Sequence, residues 1–283
     1  MLTIDENLCT PVHSEGSTTA AALNEFAMSL LSGGHINLSV ARHFQIPAAG
    51  SFVVVATAFS SPDVATTDRP TVVPDAWLAD IRRCLAAECG FPVPALLGPT
   101  HATILIPGSS VLGRRIGDIH PLLCAAARHA ITAVAIESEN ESISAAAETA
   151  HELLDVAIRL RKKSRLYSMD QLALEYQITR PGPGRDRLVS VLEPLEEYPE
   201  LIQTLAEFVS QGFDRQRSAR RLCVHVNTID YRMRRISSLT GLPVSHGTRW
   251  RLFAALTARA FVRGEHCQRG SADIPAVADG PEY

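Results

Sequence analysis

Several features that would place this chain among membrane, secreted or disordered proteins are missing from its sequence. No run approaches the roughly 20 consecutive apolar residues that a membrane-spanning helix needs. The N-terminus, MLTIDENLCTPVHSEG, carries acids where a signal peptide would carry lysine or arginine before an apolar segment. The apolar fraction of 46% is too high for a disordered chain. We therefore expect a cytoplasmic protein with no membrane partner, and its 283 residues are enough for two domains.

Paired cysteines are also missing. Of the six cysteines, only Cys84 and Cys89 lie close together, and their spacing fits neither a CxxC motif nor a usual zinc knuckle. We expect all six to be reduced and most of them to pack as small apolar residues. Redox sensing by Cys84 and Cys89 is the alternative.

Motifs of catalysis and metal binding are equally scarce. The sequence has no GxSxG, P-loop or GxGxxG motif, and no two histidines have HxH or HExxH spacing. Surface or hydrogen-bonded interior positions therefore explain four of the histidines better than metal ligation does: His101, His120, His129 and His151. A weak hint of an anion or ligand loop remains in ILIPGSSVLG (104–113). Helix N-terminal charge and solubility explain the acids Glu193, Glu196, Glu197 and Glu200. We predict that the protein is not an enzyme and has no cofactor or metal.

The first two thirds of the chain show an alternation of strand and helix patterns. A helix follows Ser17 and ends at Gly33 and Gly34, and Asn37 caps a second short helix. The elements expected after it are a strand at 52–59, a helix from 75 closed at 90, a hairpin of PALLG and ATILIP around GPTH, a helix at 118–128, a strand at 131–137, a helix at 144–163 and an edge strand at 165–168. This order predicts an α+β or α/β domain, and everything after it reads as helical.

Positive charge is concentrated in one short segment near the C-terminus. Between Asp214 and Arg251 nine arginines face two acids, which gives +7 and leaves −10 for the rest of the chain. Such a block on an otherwise acidic protein indicates one module that meets a polyanion.

Four helices can be assigned around this block, and the middle two have the form of a helix-turn-helix. The first, ELIQTLAEFVSQ, ends at Gly212, and the second begins at Asp214 as its N-cap, with Ala219 and Leu222 inward. After the turn VHV, the third runs to Gly241, and TRWRLFAALTARAF forms the fourth.

The third helix has one apolar and one polar face. At about 100° per residue, its apolar side chains fall within one arc: Val226, Ile229, Met233 and Ile236. The opposite side carries Asn227, Tyr231, Arg234, Arg235 and Ser238, with Thr228 close by. Asn can pair with adenine and Arg with guanine in a major groove, while Arg220 and Arg221 of the second helix would lie near the DNA backbone.

An acid on this helix needs its own explanation. With Asn227 as N-cap, Asp230 occupies N3, where a carboxylate meets free backbone N–H groups. Acceptance of a hydrogen bond from a cytosine amine is the alternative.

The segment SARRLCVHVNTIDYRMRRISSLTGL, followed by RWRLFAALTARA, resembles the C-terminal helix-turn-helix of PucR/CdaR-type bacterial transcription regulators. The resemblance covers about 60 residues, and it departs at Val226 and Asp230, where relatives often carry Arg. Upstream, SRLYSMDQLALEYQI is similar to the segment that follows a GGDEF-like domain in such regulators. The GG[DE]EF string of nucleotide cyclases is missing, and GPTHA stands at the predicted hairpin, so glycines for a triphosphate and carboxylates for Mg²⁺ are lacking.

The resemblance implies an α+β protein in which a degenerate, mixed α/β GGDEF-like domain precedes an all-α DNA-binding domain. We expect a leader and short helix at 1–34, the GGDEF-like domain at 35–178, a Pro- and Gly-rich linker at 179–198, the helix-turn-helix domain at 199–265 and a flexible tail at 266–283.

The expected function is sequence-specific transcription regulation that responds to an effector. Its partners are double-stranded DNA, a second copy of the chain in a homodimer or higher homo-oligomer, and a small-molecule effector. The residues expected to contact DNA are Arg220, Arg221, His225, Asn227, Thr228, Tyr231, Arg232, Arg234 and Arg235. The alternative is a non-catalytic ligand- or protein-binding regulator whose helical domain docks a protein partner.

Overall fold

The structure, a computed structural model, describes residues 13–47, 50–60, 75–108, 119–127, 130–243 and 246–264. The chain divides into two compact units: the first runs to Leu154 and includes Ser164–Met169, and the second contains Asp155–Lys163 and the chain from Asp170 onward. Several predictions fall outside the described residues: 1–12 of the leader, 109–113 of the loop at 104–113, the whole tail at 266–283, and His129.

The first unit is built on a five-stranded mixed sheet with the order β2-β3-β1-β4-β5. Its strands are β1 (Ser51–Ser60), β2 (Ala95–Leu97), β3 (His101–Pro107), β4 (Ala130–Glu139) and β5 (Leu166–Tyr167). All neighbouring strands are antiparallel except β4 and β5. The apolar run FVVVATAF supplies the central strand, which is buried on both faces and therefore has no polar alternation. The predicted strands, hairpin and edge strand are confirmed.

Among the described residues, the helices that accompany this sheet are α1 (His13–Leu31), α2 (Leu38–His43), α3 (Asp75–Cys89), α4 (Ile119–Ala127) and α5 (Ile143–Arg159). The predicted cap of α2 is confirmed, because the Asn37 side chain accepts hydrogen bonds from the backbone N–H groups of Ser39 and Val40. Gly33 and Gly90 follow α1 and α3 with φ values of 76° and 80°, a conformation that suits a helix end and that glycine adopts without strain.

The second unit is helical. It contains α6 (Met169–Thr179), α7 (Pro183–Ser190), α8 (Pro199–Ser210), α9 (Arg215–Arg221), α10 (Val226–Thr240) and α11 (Arg249–Arg263). The core between α8 and α11 is formed by fully buried aliphatic residues, among them Leu201, Leu205, Ile229, Ile236 and Leu252. The chain is therefore an α+β protein with one mixed sheet and a C-terminal helical part.

The segment predicted as a linker at 179–198 differs from that expectation, because it contains α7 and a 3₁₀ helix at Glu193–Leu195. Leu192 and Leu195 are completely buried in the core of the helical unit. Pro183 stands in the first turn of α7, where its missing N–H breaks no helical hydrogen bond, so the Pro- and Gly-rich composition starts a helix here.

Helix α6 also differs from the expected domain boundary, since residues 170–178 belong to the second unit. An ion pair of 2.5 Å joins Lys162 Nζ to the buried Glu175 of α6, and both residues belong to that unit. No helix among the described residues is long and apolar enough to cross a membrane.

Candidate nucleic-acid interface

The helix pair α9–α10 is held by defined caps. The carboxylate of Asp214 accepts a hydrogen bond of 2.9 Å from the backbone N–H of Arg217, which confirms the predicted N-cap of α9. At the other end, Cys223 N–H donates to Arg220 C=O and Val224 N–H to Ala219 C=O, the hydrogen bonds of a Schellman motif. Cys223 takes the left-handed conformation of this motif, with φ 53°. The tight turn therefore fixes the direction in which α10 starts.

The N-cap of α10 is His225, which corrects the prediction that Asn227 caps this helix. The Nδ1 atom of His225 accepts a hydrogen bond of 3.2 Å from the backbone N–H of Asn227. Accepting at Nδ1 leaves the ring proton of a neutral histidine on Nε2, from which it can be donated away from the helix. Asn227 instead lies in the first turn with an exposed side chain.

The two faces of α10 are arranged as the helical spacing predicts. Ile229 and Ile236 are fully buried, Met233 is nearly so, and Val226 packs against the same core. On the opposite side, Asn227, Tyr231, Arg234 and Ser238 are exposed, and Tyr231 has 57% of its surface accessible. Thr228 and Arg235 are half-buried beside them.

The three arginines of α10 have different surroundings. Arg234 is exposed, and its Nε donates only to the backbone carbonyl of Asp230, at 3.3 Å. Arg232 is turned toward α8, where its Nη1 donates a hydrogen bond of 2.9 Å to the hydroxyl of the buried Thr204. The guanidinium of Arg235 lies 4.5 Å above the ring centre of Tyr198. Hydrogen bonding to the phenol groups of Tyr198 and Tyr231 raises the pKa of Arg235 above its ordinary value.

Asp230 makes an ion pair that the sequence did not indicate. Its carboxylate lies 3.2 Å from Nη1 of Arg215, the first residue of α9. Because α10 begins at Val226, Asp230 is the fifth helical residue and not N3, so the predicted capping role is wrong. The ion pair lowers the repulsion between this acid and a nearby polyanion, and it connects the two helices of the pair.

The arginines of α9 are all exposed. Arg220 donates from Nε to the backbone carbonyl of Gln216, at 3.4 Å. Arg221 faces Glu207 of α8 at a distance of 3.7 Å, and Arg217 faces Asp214 at the same distance. Ion pairs of this length that involve an exposed arginine contribute little to stability.

Two residues that contribute to this surface were not among the predicted contacts. Arg215 belongs to the basic block. Its position could have been predicted, because an N-cap at Asp214 makes Arg215 the first residue of the helix pair. Tyr198 had no such signal, since it lies in the segment that composition assigned to a linker.

Comparison with known proteins identifies the C-terminal helix-turn-helix domain. Residues 201–258 match the family model of the PucR C-terminal helix-turn-helix domain, which confirms the resemblance in this part of the chain. No curated protein matches the chain. The crystal structure of a regulator of polyketide synthase expression from Bifidobacterium adolescentis matches over 85% of this chain and 98% of that chain, with 17% identity and a TM-score of 0.37. Similarity at that level carries no inference about shared function.

Proposed function

From the PucR-type helix-turn-helix domain at residues 201–258, we propose that this protein is a sequence-specific transcription regulator that binds double-stranded DNA. Helix α10 enters the major groove with residues 227–239, and α9 lies across the backbone. The protein acts in the bacterial cytoplasm, where chromosomal DNA is accessible to it.

The observation that carries this proposal is the exposed face of α10. Its first turns present Asn227 and Tyr231, followed by Arg234, on the side opposite the buried Ile229 and Ile236. An amide can make two hydrogen bonds to adenine and a guanidinium two to guanine, which are the pairings that distinguish bases in a major groove. The helix therefore supplies base-reading groups on a rigid element.

The remaining predicted contacts divide by their surroundings. Arg220 and Arg221 are exposed residues of α9 and are suited to phosphates, whose contacts set the position of the module without reading sequence. His225 and Thr228, at the start of α10, can donate to the backbone or to a base edge. Arg232 also supports α10 from the side of α8, because its Nη1 donates a hydrogen bond to the hydroxyl of Thr204.

Binding as a homodimer or higher homo-oligomer follows from the small reach of one helix. A single recognition helix contacts only a few base pairs, and two-fold pairing would supply two half-sites about 34–36 Å apart. Sedimentation of the full chain with its binding site should give two protomers per site; one protomer per site would contradict this part of the proposal.

We also propose that the first unit is a degenerate GGDEF-like domain used for dimerisation or for reception of an effector. Support comes from the sequence resemblance and from the turn between β2 and β3. This turn consists of Gly98, Pro99 and Thr100, which offer no carboxylate to a magnesium ion. An effector should change the affinity of the full chain for DNA; measurement of binding with and without fractionated small-molecule extract tests this.

The experiment that tests the central proposal is selection of fragmented genomic DNA by the purified full chain at about 150 mM salt, a concentration that suppresses nonspecific binding. Sequencing should show a few intergenic sites that share a two-fold motif. The variant Arg235→Ala should lose this enrichment. The control is Arg187→Ala on α7, because it removes the same charge from a helix of the same unit but at a position outside residues 201–258.

Uniform weak recovery by the full chain, unchanged when effector fractions are added, would contradict the proposal. The basic block would then provide only nonspecific attraction, and docking of a protein partner by the helical domain would become the better explanation.

A further inference from the structure

Tyr198 lies at the start of α8, next to the exposed face of α10. It occupies the N-cap position of α8, but its side chain makes no capping hydrogen bond. Its half-buried ring packs against the core of the helical unit and carries the guanidinium of Arg235 4.5 Å from its centre. The ring is therefore used to support an arginine and not to cap the helix.

The backbone that carries this ring is firmly anchored. Immediately before it, Leu192 and Leu195 are completely buried in the core. Glu196 accepts two hydrogen bonds from the buried Arg259, of 2.8 and 3.0 Å, and also pairs with Arg263 at 2.9 Å. A ring attached to such a segment provides a fixed surface for the guanidinium.

A second aromatic residue approaches the same guanidinium. Tyr231 stands four residues before Arg235 on α10, so the two side chains are neighbours on one helix face. The phenol groups of Tyr198 and Tyr231 both raise the pKa of Arg235, in agreement with their closeness to the cation. Arg235 is thus stacked on one tyrosine and lies one helical turn from a second, whereas Arg234 donates a hydrogen bond to the backbone of its own helix.

We infer that Tyr198 is a positioning residue that holds Arg235 in the orientation with which it contacts a guanine edge. This inference rests on the proposed function. A free arginine side chain loses much rotational freedom when it forms two hydrogen bonds to a base, whereas a stacked guanidinium has lost part of that freedom already. The anchored segment 192–198 thereby contributes to base recognition, because it fixes the ring that orients Arg235.

A double-mutant cycle on the full chain tests this inference. The probe is the duplex fragment that the wild-type chain enriches in the genomic selection, and the measured quantity is its Kd. Tyr198→Leu should weaken binding about two- to fivefold, the range expected from loss of an exposed cation–π contact. In the Arg235→Ala background Tyr198→Leu should not change the Kd, because Tyr198 affects DNA binding only through Arg235.

The matched control is the same cycle with Arg234→Ala. Arg234 belongs to the same helix but does not touch Tyr198, so the two effects should be additive. Tyr198→Phe retains the ring and should bind within twofold of the wild type. If Tyr198→Leu does not fold, Tyr198→Met removes the ring with less change in side-chain length and enters the same cycle.

An equal loss of affinity in the wild-type and Arg235→Ala backgrounds would overturn the inference while leaving the proposed function intact. Failure of the wild-type chain to enrich any site would overturn both. A loss that disappears only in the Arg235→Ala background supports the inference, because a general effect on folding would appear in every background.

Discussion

Removal of the Glu196 carboxylate should destabilise the helical unit. Glu196 and Arg259 form a bidentate pair whose side chains are 24% and 10% exposed. Breaking a fully buried pair costs about 3–5 kcal/mol, and an exposed pair contributes about 0–1 kcal/mol. This pair lies between those limits, so Glu196→Gln should lower the free energy of unfolding by about 2 kcal/mol at pH 7.

The loss of stability caused by Glu196→Gln should depend on pH in a defined direction. Hydrogen bonds from Arg259 hold the pKa of Glu196 below its ordinary value, against the opposing effect of burial. A carboxyl group whose pKa is lowered by folding adds stability above its unfolded pKa, and this stability is lost as the pH falls through the folded pKa. The difference between wild type and Glu196→Gln should therefore be constant from neutral pH down to about pH 5 and shrink below the unfolded value near 4.3.

Urea unfolding followed by circular dichroism at a series of pH values measures this difference. The control is Asp155→Asn, because Asp155 and Arg159 also lie 2.9 Å apart but both side chains are 48% exposed. This substitution should change the stability by no more than about 0.5 kcal/mol. The pair does not stabilise the helical unit as described if Glu196→Gln costs no more than the control at pH 7, or if its cost is the same in acid.

Three further substitutions test the helix pair and its contact with DNA. Asp214→Ala removes the N-cap of α9 and should lower the free energy of unfolding by about 1 kcal/mol; no change would mean that the cap is dispensable. Cys223→Gly relieves a non-glycine residue at φ 53° and should raise the free energy of unfolding by about 0.5–1 kcal/mol. A lower free energy of unfolding would show that Cys223 is not strained in this conformation. Arg220→Ala should weaken binding to all DNA sequences alike and reduce the slope of log K against log salt by about one, which titrations at several salt concentrations measure. A loss of affinity that depends on a single base position would contradict a phosphate contact.

Local chemistry made the elements of the first unit predictable. The continuous apolar run of β1 indicated a strand buried on both faces, and Asn37 indicated the start of α2, because each depends on neighbours in sequence. The helical arc of α10 was predictable for the same reason. Its buried residues Ile229 and Ile236 recur at the helical period.

Contacts between distant parts of the chain were not predictable in this way. The segment 179–198 is rich in Pro and Gly, and only the packed core of α8–α11 gives Leu192 and Leu195 a buried position. An error of two residues in the start of α10 changed the role assigned to Asp230, since helix caps are set by which side chain reaches a free N–H. The ion pair with Arg215 and the stacking of Arg235 on Tyr198 join residues 15 and 37 positions apart, and no periodicity indicates them.

The central claim is that α10 reads bases in the major groove, and methylation interference tests it most directly. Methylation of guanine N7 modifies an acceptor that lies in the major groove. With the full chain and an enriched genomic fragment, methylation of a few guanines in each half-site should prevent binding. Arg235→Ala should make binding indifferent to at least one of those guanines. Binding that is insensitive to N7 methylation at every position and depends only on phosphates would contradict the claim.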